Sequence, residues 1–360
     1  MRSRHRPITL SVLVGTMLAV VVGLSASGLA FARERHAVSA LPHVVIKYSC
    51  PCSSAPPLSP QTASLYRFAT LMKKLTHGAV KVEIFPNSSL VAQANEWPDL
   101  LQNVVQMVDS SGDEYQPQYP AGMIYEIPYL FTNFNQEEKL FSSPDGQELN
   151  HLIDNRFHVH LLGLQDLGAR ELDLNSTKRI MTPADMQGIK LRMPPGTYWA
   201  QLGAAMGGEV TPVSFPEIYL SLQTGVIQAQ DNPLPTDVAD KFYQVTKEIV
   251  LTNHVIEPVQ PTINDVTWNK LSPAEQTDLM HAITLVNAAN NKEVANQQRT
   301  DINFLRKQGL AVYTPDIASF RKPALKSFLC DPAYRRPLDN VVRGLLGFTL
   351  KLSGATAPSC

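Results

Sequence analysis

The chain has 360 residues, 44% of them hydrophobic and 18% charged, with a formal net charge of -1. That length exceeds one ordinary core and calls for two domains, and the composition is that of a globular chain, not a disordered one. Near-neutral charge, with no Lys/Arg-rich run after the N-terminus, excludes the concentrated basic face that a nucleic-acid binder needs.

The chain opens with Arg2, Arg4 and Arg6, an apolar run from Ile8 to about Ala26, and small residues ending in Ala30-Phe31-Ala32. This is the layout of an export signal, residues 1–32, with cleavage expected after Ala32 and a periplasmic mature protein. A retained anchor is the competing reading, because the run nears the roughly 18-residue spanning minimum. Gly15, Gly23 and Gly28, together with the A-x-A ending, favour removal. In an oxidising compartment Cys330 and Cys360 can close the last segment as a loop. Cys50 and Cys52, separated by Pro51 alone, are poor partners, since a bridge between such close neighbours is strained. A lone C-P-C without His at zinc-ligand spacing gives no reason to expect a metal, and no cofactor is expected.

After the export segment, strands and helices alternate. Residues 43–48 (HVVIKY) and 79–85 (AVKVEIF) read as strands around an amphipathic helix at 59–76. A helix around 94–106, an irregular Tyr- and Pro-rich stretch, a helix near 135–153 and a strand at 157–163 complete a first set. RELDLN, IKLRM and VIQAQ read as strands of a second set, with helices near 196–206 and 215–224. Ser214 with Glu217 has the spacing of a capping box, and Gly225 is the stop. Each set suggests a small sheet with its own helices, hence an α/β class of two lobes.

One element differs from the rest. From Ser272-Pro273-Ala274-Glu275 to Gln308 the pattern has no breaker until Gly309, and Ser272 with Glu275 forms a second capping box. About 36 helical residues reach roughly 54 Å, so this helix is expected to lie across both lobes. The alternative is two helices meeting in the weak helix-forming stretch NAANN.

Arg192 interrupts what otherwise reads as a buried strand. Ile189, Leu191 and Met193 share one face, Lys190 and Arg192 the other, and Pro194-Pro195-Gly196 ends the strand at once. In open α/β sheets ligands bind outside the carboxyl ends of strands, where a guanidinium offers a planar fork to a carboxylate or phosphate. A structural ion pair explains the same residue equally well from pattern alone. Asn232, held extended by Pro233, sits at a comparable strand end. Phe215 starts a stripe with Ile218, Tyr219 and Leu222 that is also readable as core.

These residues resemble the solute-binding proteins of TRAP transporters, of the C4-dicarboxylate-binding type, over about residues 43–325. MTPADMQGIKLRMPPG, GGEVTPVSFPEIYLSLQTGVIQAQDNP and KFYQVTKEIVLTNH carry most of the resemblance, supported by HGAVKVEIFPNSSL, EIPYLFTN, LGARELDLNSTKRI and WNKLSPAEQ. The resemblance implies a two-lobed periplasmic-binding-protein fold, a cleft between lobes and a long helix spanning both. It implies lobes of 41–167 plus 258–297 and of 168–257 plus 298–327, followed by a tail from 328 to 360. Arg192 would form the main salt bridge to a ligand carboxylate and Arg170 would add a second cation. Phe215 would pack on the ligand and Asn232 would hydrogen-bond it. By position, Tyr48 to Ser53, Ser110 and Ser111 would line the first-lobe wall. The implied partners are a small organic anion and the TRAP permease membrane subunits, with the protein acting as a monomer. Asp231 stands where the family usually has Glu, Val91-Ala92 where a Gly commonly follows, and Asn103 in place of a frequent Gly.

An enzyme and a docking or sensory module are the competing functions. G-x-S-x-G, G-x-x-x-x-G-K-[ST] and G-x-G-x-x-G do not occur, which removes the usual signals for an α/β hydrolase or nucleotide enzyme. Paired acids such as Asp113-Glu114 and Glu137-Glu138 read as solvated neighbours.

Overall fold

The computed structural model describes residues 41–332, 340–354 and 356–360, so the expected export segment lies outside the described residues. Strand β1 (Val44–Ser49) leads into helix α1 (Pro60–Leu75) and strand β2 (Val80–Phe85). Leu65, Phe68 and Met72 recur at helical spacing and are buried against the sheet, and the Ser59 side chain caps the helix by accepting from Thr62 N. The chain continues through α2 (Glu96–Leu101), β3 (Met107–Ser110), α3 (Gly112–Tyr115), α4 (Phe134–Ser142), α5 (Pro144–Phe157) and β4 (Val159–Leu161). Next come β5 (Gln165–Leu174), β6 (Lys190–Met193), α6 (Thr197–Ala205), β7 (Glu209–Pro212), α7 (Ile218–Thr224), β8 (Ala229–Pro233) and α8 (Leu234–Ala239). The remainder is β9 (Glu248–Val250), β10 (Ile256–Asn264), α9 (Asp265–Trp268), α10 (Pro273–Lys307), β11 (Ala311–Tyr313), α11 (Ile317–Leu329) and α12 (Asn340–Ser353).

The strands form one hydrogen-bonded path in the order β2-β1-β3-β10-β5-β8-β6-β7, with β4 beside β10, β9 beside β5, and β11 beside β9. Pairs at the two ends are parallel, β1 with β2 and β3, and β6 with β7 and β8. The long strands β5 and β10 run antiparallel to each other and to their neighbours β8 and β3, and so tie the two parallel groups together. Their mutual register shifts between Glu257 and Pro258, a bulge at the middle of the molecule. Two sets of βαβ-like units with the chain crossing between them is the two-lobed α/β architecture that the sequence implies.

Helix α10 is a single helix of 35 residues, with the expected Ser272–Glu275 capping box and Pro273 in its first turn. At 1.5 Å per residue it spans about 52 Å. It packs on α1, β5, α8 and β11. The NAANN stretch does not break it, because those asparagines are used by β5. Asn287 Oδ1 accepts from Gln165 Nε2 at 3.3 Å, Asn290 Nδ2 donates to Asp166 O at 2.6 Å, and Asn291 Oδ1 accepts from Asp166 N at 2.9 Å. Weak helix formers are tolerated where their side chains satisfy buried backbone.

Several expectations need correction. The helix expected at 94–106 is shorter, α2 preceded by one 3-10 turn, and β3 takes over from Met107. The helix expected at 135–153 is two, divided at Ser143, whose side chain caps the second. Ser214 and Glu217 make no side-chain capping box, because a 3-10 turn intervenes before α7. Gly225 does stop α7, at φ 75°, a left-handed conformation suited to glycine. Glu137 is not solvated but fully buried. Cys50 and Cys52 are bridged despite their closeness, with Cα atoms 5.2 Å apart, as are Cys330 and Cys360, with Cα atoms 5.5 Å apart.

Candidate functional site

A cleft of about 490 Å³ lies where the two parallel strand groups face each other. Strand β6 delivers Arg192 to it, and Gly196 follows with φ 144°, a turn conformation open to glycine, so that α6 starts immediately beyond the strand end. Arg192 is 1% exposed. Its Nε donates to Val213 O at 2.8 Å, while Nη1 and Nη2 are buried without a hydrogen-bond partner among the described residues. Burial pushes the guanidinium down to about 9, so it remains a cation at neutral pH. A buried cation with four of its five N–H donors unused is costly unless an anion meets it.

Arg170, on β5, lines the same cleft but has its own partners. Nε donates to Asp231 Oδ2 at 2.6 Å, Nη2 to Asp231 O at 2.7 Å, and Nη1 to Glu257 Oε2 at 2.9 Å. Its guanidinium also lies over the Trp199 ring, 4.5 Å from the centroid. Burial pulls Arg170 down, but Asp231 and Glu257 more than offset this and hold it above its ordinary value. Burial would raise Asp231, yet Arg170 and His254 hold it well below the usual carboxylate range. His254 Nε2 contacts Asp231 Oδ2 at 3.1 Å and its Nδ1 contacts Thr252 Oγ1 at 2.8 Å, and burial keeps the ring neutral by lowering its pKa. The second cation expected at the pocket is therefore neutralised within the protein. Arg192 is the guanidinium left over.

Asn232 and Phe215 also line the cleft, as does Ser111. Asn232 is 5% exposed and donates from Nδ2 to Gln230 Oε1 at 2.5 Å. Phe215 is half-buried, packs edge-on to Phe242 at 6.0 Å, and its backbone N donates to Gln93 Oε1 at 2.8 Å across the cleft. The stripe read in the sequence divides here, with Ile218 and Leu222 buried and Phe215 and Tyr219 on the margin. Ser111 Oγ donates to Asp113 Oδ1 at 2.6 Å. Of the stretch expected on the first-lobe wall, Pro51, Cys52 and Ser53 reach the cleft. Tyr48 and Ser110 are fully buried behind it, with Tyr48 OH donating to Asp109 Oδ1 at 2.5 Å and Ser110 Oγ bonded to Tyr115 OH at 2.5 Å.

The sequence reading missed the acids of that wall. Glu96, at the start of α2, accepts from Ser49 Oγ at 2.7 Å, and burial pushes its carboxyl up to about 8. Asp109 at the end of β3 accepts from Tyr48 and from Gln61 Nε2 at 2.8 Å and is also raised by burial. Asp113, read as solvated, accepts from Trp199 Nε1 at 2.8 Å. An acid directly beside an apolar residue, Glu96 before Trp97 and Asp109 after Val108, is a weak local signal for these positions. Their convergence depends on the packing of α2 beside β3. Arg170 and Arg192 are the basic residues lining the cleft among the described residues.

Several hydrogen bonds cross between the walls among the described residues, Ser53 with Asp240 included. Besides Phe215 with Gln93 and Trp199 with Asp113, Thr197 Oγ1 donates to Gln116 Oε1 at 2.9 Å and Tyr198 OH to Glu126 O at 2.6 Å. The arrangement is a cleft with a mostly apolar lining, one unsatisfied cation on one wall and carboxyl groups, Glu96, Asp109 and Asp113 among them, on the other. It can hold an anion by a two-pronged contact and exclude water from it.

A family model described as bacterial extracellular solute-binding protein, family 7, matches residues 52–328. The chain is 28% identical over 266 residues to the sialic acid-binding periplasmic protein SiaP of Vibrio cholerae, covering 72% of this chain and 81% of that one. It is 26% identical over 248 residues to the 2,3-diketo-L-gulonate-binding periplasmic protein YiaO of Escherichia coli, covering 69% and 75%. Among solved structures, a TRAP periplasmic solute-binding protein from Roseobacter denitrificans with bound 3-deoxy-D-manno-oct-2-ulosonic acid superposes with a TM-score of 0.78 at 28% identity, covering 85% of this chain and 99% of that one. With the matched span, the two-lobed architecture and the cleft in agreement, the chain belongs to the bacterial extracellular solute-binding protein family 7, the TRAP-type binding proteins.

Proposed function

We propose that this protein captures a small carboxylic acid in the cleft, anchored by Arg192, and delivers it to the membrane subunits of a TRAP-type transporter. The observation that carries this reading is the buried Arg192 guanidinium with both terminal nitrogens unpartnered. A carboxylate between them forms two parallel charge-assisted hydrogen bonds and neutralises the charge. Asn232 supplies a further polar contact, Phe215 an apolar face and Ser111 a hydroxyl on the opposite wall. Arg170, already paired, contributes field and shape more than a direct salt bridge.

The opposite wall narrows the class of acid. Among the described residues Glu96 and Asp109 have no cation beside them, so nothing on that wall would neutralise a second carboxylate buried there. Hydroxyl or other donor groups are accepted there instead. SiaP is named for sialic acid and the Roseobacter protein was solved with 3-deoxy-D-manno-oct-2-ulosonic acid, both hydroxylated carboxylic acids. A hydroxylated monocarboxylate is the ligand this cleft suits.

Strands β5 and β10, with their bulge at Glu257–Pro258, serve in this reading as the hinge between lobes of 41–167 plus 258–297 and 168–257 plus 298–327. The protein works as a periplasmic monomer, released from its export segment near Ala32, without catalysis. Native mass spectrometry of the purified mature protein, followed by denaturation, identifies the co-purified ligand. A ligand without an acidic group, or turnover of the bound molecule, refutes the proposal.

A further inference from the structure

Behind Asn232 lies a buried polar chain that touches no part of the cleft. Strand β8 carries Gln230 and Asn232 two residues apart, hence on the same face, and pairs antiparallel with β5 so that Asp173 lies opposite Gln230. Helix α8 begins directly after β8 and brings Asp237 back over the same spot. Gln230 Nε2 donates to Asp173 Oδ2 at 2.8 Å and to Asp237 Oδ1 at 2.9 Å. Gln230 Oε1 then accepts from Asn232 Nδ2 at 2.5 Å. Asp173, Gln230 and Asp237 are fully buried.

An amide can sit in such a network in two orientations, exchanging its NH2 and its oxygen, and its partners decide between them. Here the hydrogen bonds select one orientation. Two carboxyl groups share one amide and hydrogen-bond each other, and burial pushes both upward, Asp173 to about 8 against the lowering effect of its bonds to Gln230 and Asp237, and Asp237 well above its ordinary value with the Asp173 charge adding to the rise. Each acid offers one oxygen to the same amide, Asp173 Oδ2 and Asp237 Oδ1, and the NH2 of Gln230 is the group that meets both. Its oxygen must then face Asn232, which turns the NH2 of Asn232 inward on one N–H and leaves its other N–H and its carbonyl for the cleft.

We propose that Gln230, held by the Asp173–Asp237 acid pair, is a positioning residue that fixes which polar groups of Asn232 meet the ligand. This rests on the reading of Asn232 as a ligand contact. It assigns binding roles to three core residues that the ligand never reaches. Without them Asn232 is free to present either orientation, and the correct one must be selected at each binding event.

The test is a double-mutant cycle read as dissociation constants. The probe is whichever of sialic acid, 3-deoxy-D-manno-oct-2-ulosonic acid and D-erythronate binds the wild-type protein most tightly in calorimetry. Asn232→Ala is expected to weaken binding about tenfold, and the near-isosteric Gln230→Met by about three- to tenfold. In the Asn232→Ala background, Gln230→Met is expected to change affinity by less than about twofold, while its effect on melting temperature persists in both backgrounds. A combined Asp173→Asn, Asp237→Asn variant, which keeps shape but removes the bias on Gln230, is expected to follow Gln230→Met and covers the case in which that variant does not fold. Equal weakening by Gln230→Met in both backgrounds, or none in either, overturns the positioning role. Wild-type affinity in Asn232→Ala instead removes Asn232 from the site, and failure of all three acids to bind the wild type counts against the carboxylate reading itself.

Discussion

Replacing Arg192 with methionine separates binding from folding. The side chain is 1% exposed and held by one hydrogen bond, Nε to Val213 O, with Nη1 and Nη2 unpartnered. Without ligand, the guanidinium is thus a desolvated charge with four of its five N–H donors unused, and burial has already lowered its pKa to about 9. Removing a buried charge in favour of a well-packed apolar side chain is commonly neutral or stabilising by about 1–4 kcal/mol. Against this stands the Val213 carbonyl left without its donor, about 1–3 kcal/mol. The ligand-free Arg192→Met protein is therefore expected to be at least as stable as wild type in denaturant unfolding. With ligand the sign reverses. Loss of the partner to a buried carboxylate costs about 2–5 kcal/mol, a weakening of roughly 30-fold or more. Arg192→Lys keeps the charge but not the planar fork, and is expected to fall between wild type and Arg192→Met. Calorimetric titration and urea unfolding of the same preparations read both quantities. A ligand-free Arg192→Met protein that is clearly destabilised yet binds with wild-type affinity would show that Arg192 is a structural residue, and the carboxylate anchor would have to be sought elsewhere.

Arg170→Ala is expected to behave in the opposite way. It leaves Glu257 buried and unpaired and Asp231 with His254 alone, so stability should drop by about 3–5 kcal/mol in the ligand-free protein, seen as a large fall in the denaturation midpoint. Phe215→Ala removes a half-buried ring at the cleft margin and should weaken ligand binding by about 1–2 kcal/mol in calorimetry while leaving the preference for acids intact. Glu96, raised to about 8, keeps in the folded protein a proton that it releases on unfolding, so its contribution to stability falls as pH rises from its ordinary value near 4.5 towards 8. Glu96→Gln is expected to flatten that slope in unfolding measurements across pH 5 to 9, and an unchanged slope counts against a buried Glu96. The Cys330–Cys360 bridge closes the last 30-residue loop, and its removal by Cys330→Ser with Cys360→Ser should lower stability by about 2–4 kcal/mol, with non-reducing peptide mapping to establish the pairing first.

Much of the scaffold was determined locally, by periodicity and punctuation. The Ser272–Glu275 capping box, Pro273 and the absence of a breaker before Gly309 set a helix of nearly the observed length. Gly225 ended α7, and Pro194-Pro195-Gly196 placed Arg192 at a strand end, because turn and cap chemistry needs only neighbours in the chain. The sequence could also nominate Arg192, Arg170, Asn232 and Phe215 through the family resemblance. It could not distinguish the two arginines. Whether a guanidinium is spent or available depends on groups far along the chain, and Arg170 meets Asp231 and Glu257, 61 and 87 residues away, while Arg192 meets none for its terminal nitrogens. Strand β10 escaped notice for the same reason, since a strand buried along its whole length and carrying Glu257, Gln260 and Asn264 shows no alternation. Glu96, Asp109 and the Asp173–Gln230–Asp237 chain likewise became a wall and a support only when β3, β5, β8 and the helices beside them packed together. Hydrogen-bond partnership and burial are tertiary properties, and they decide which polar side chains remain for a ligand.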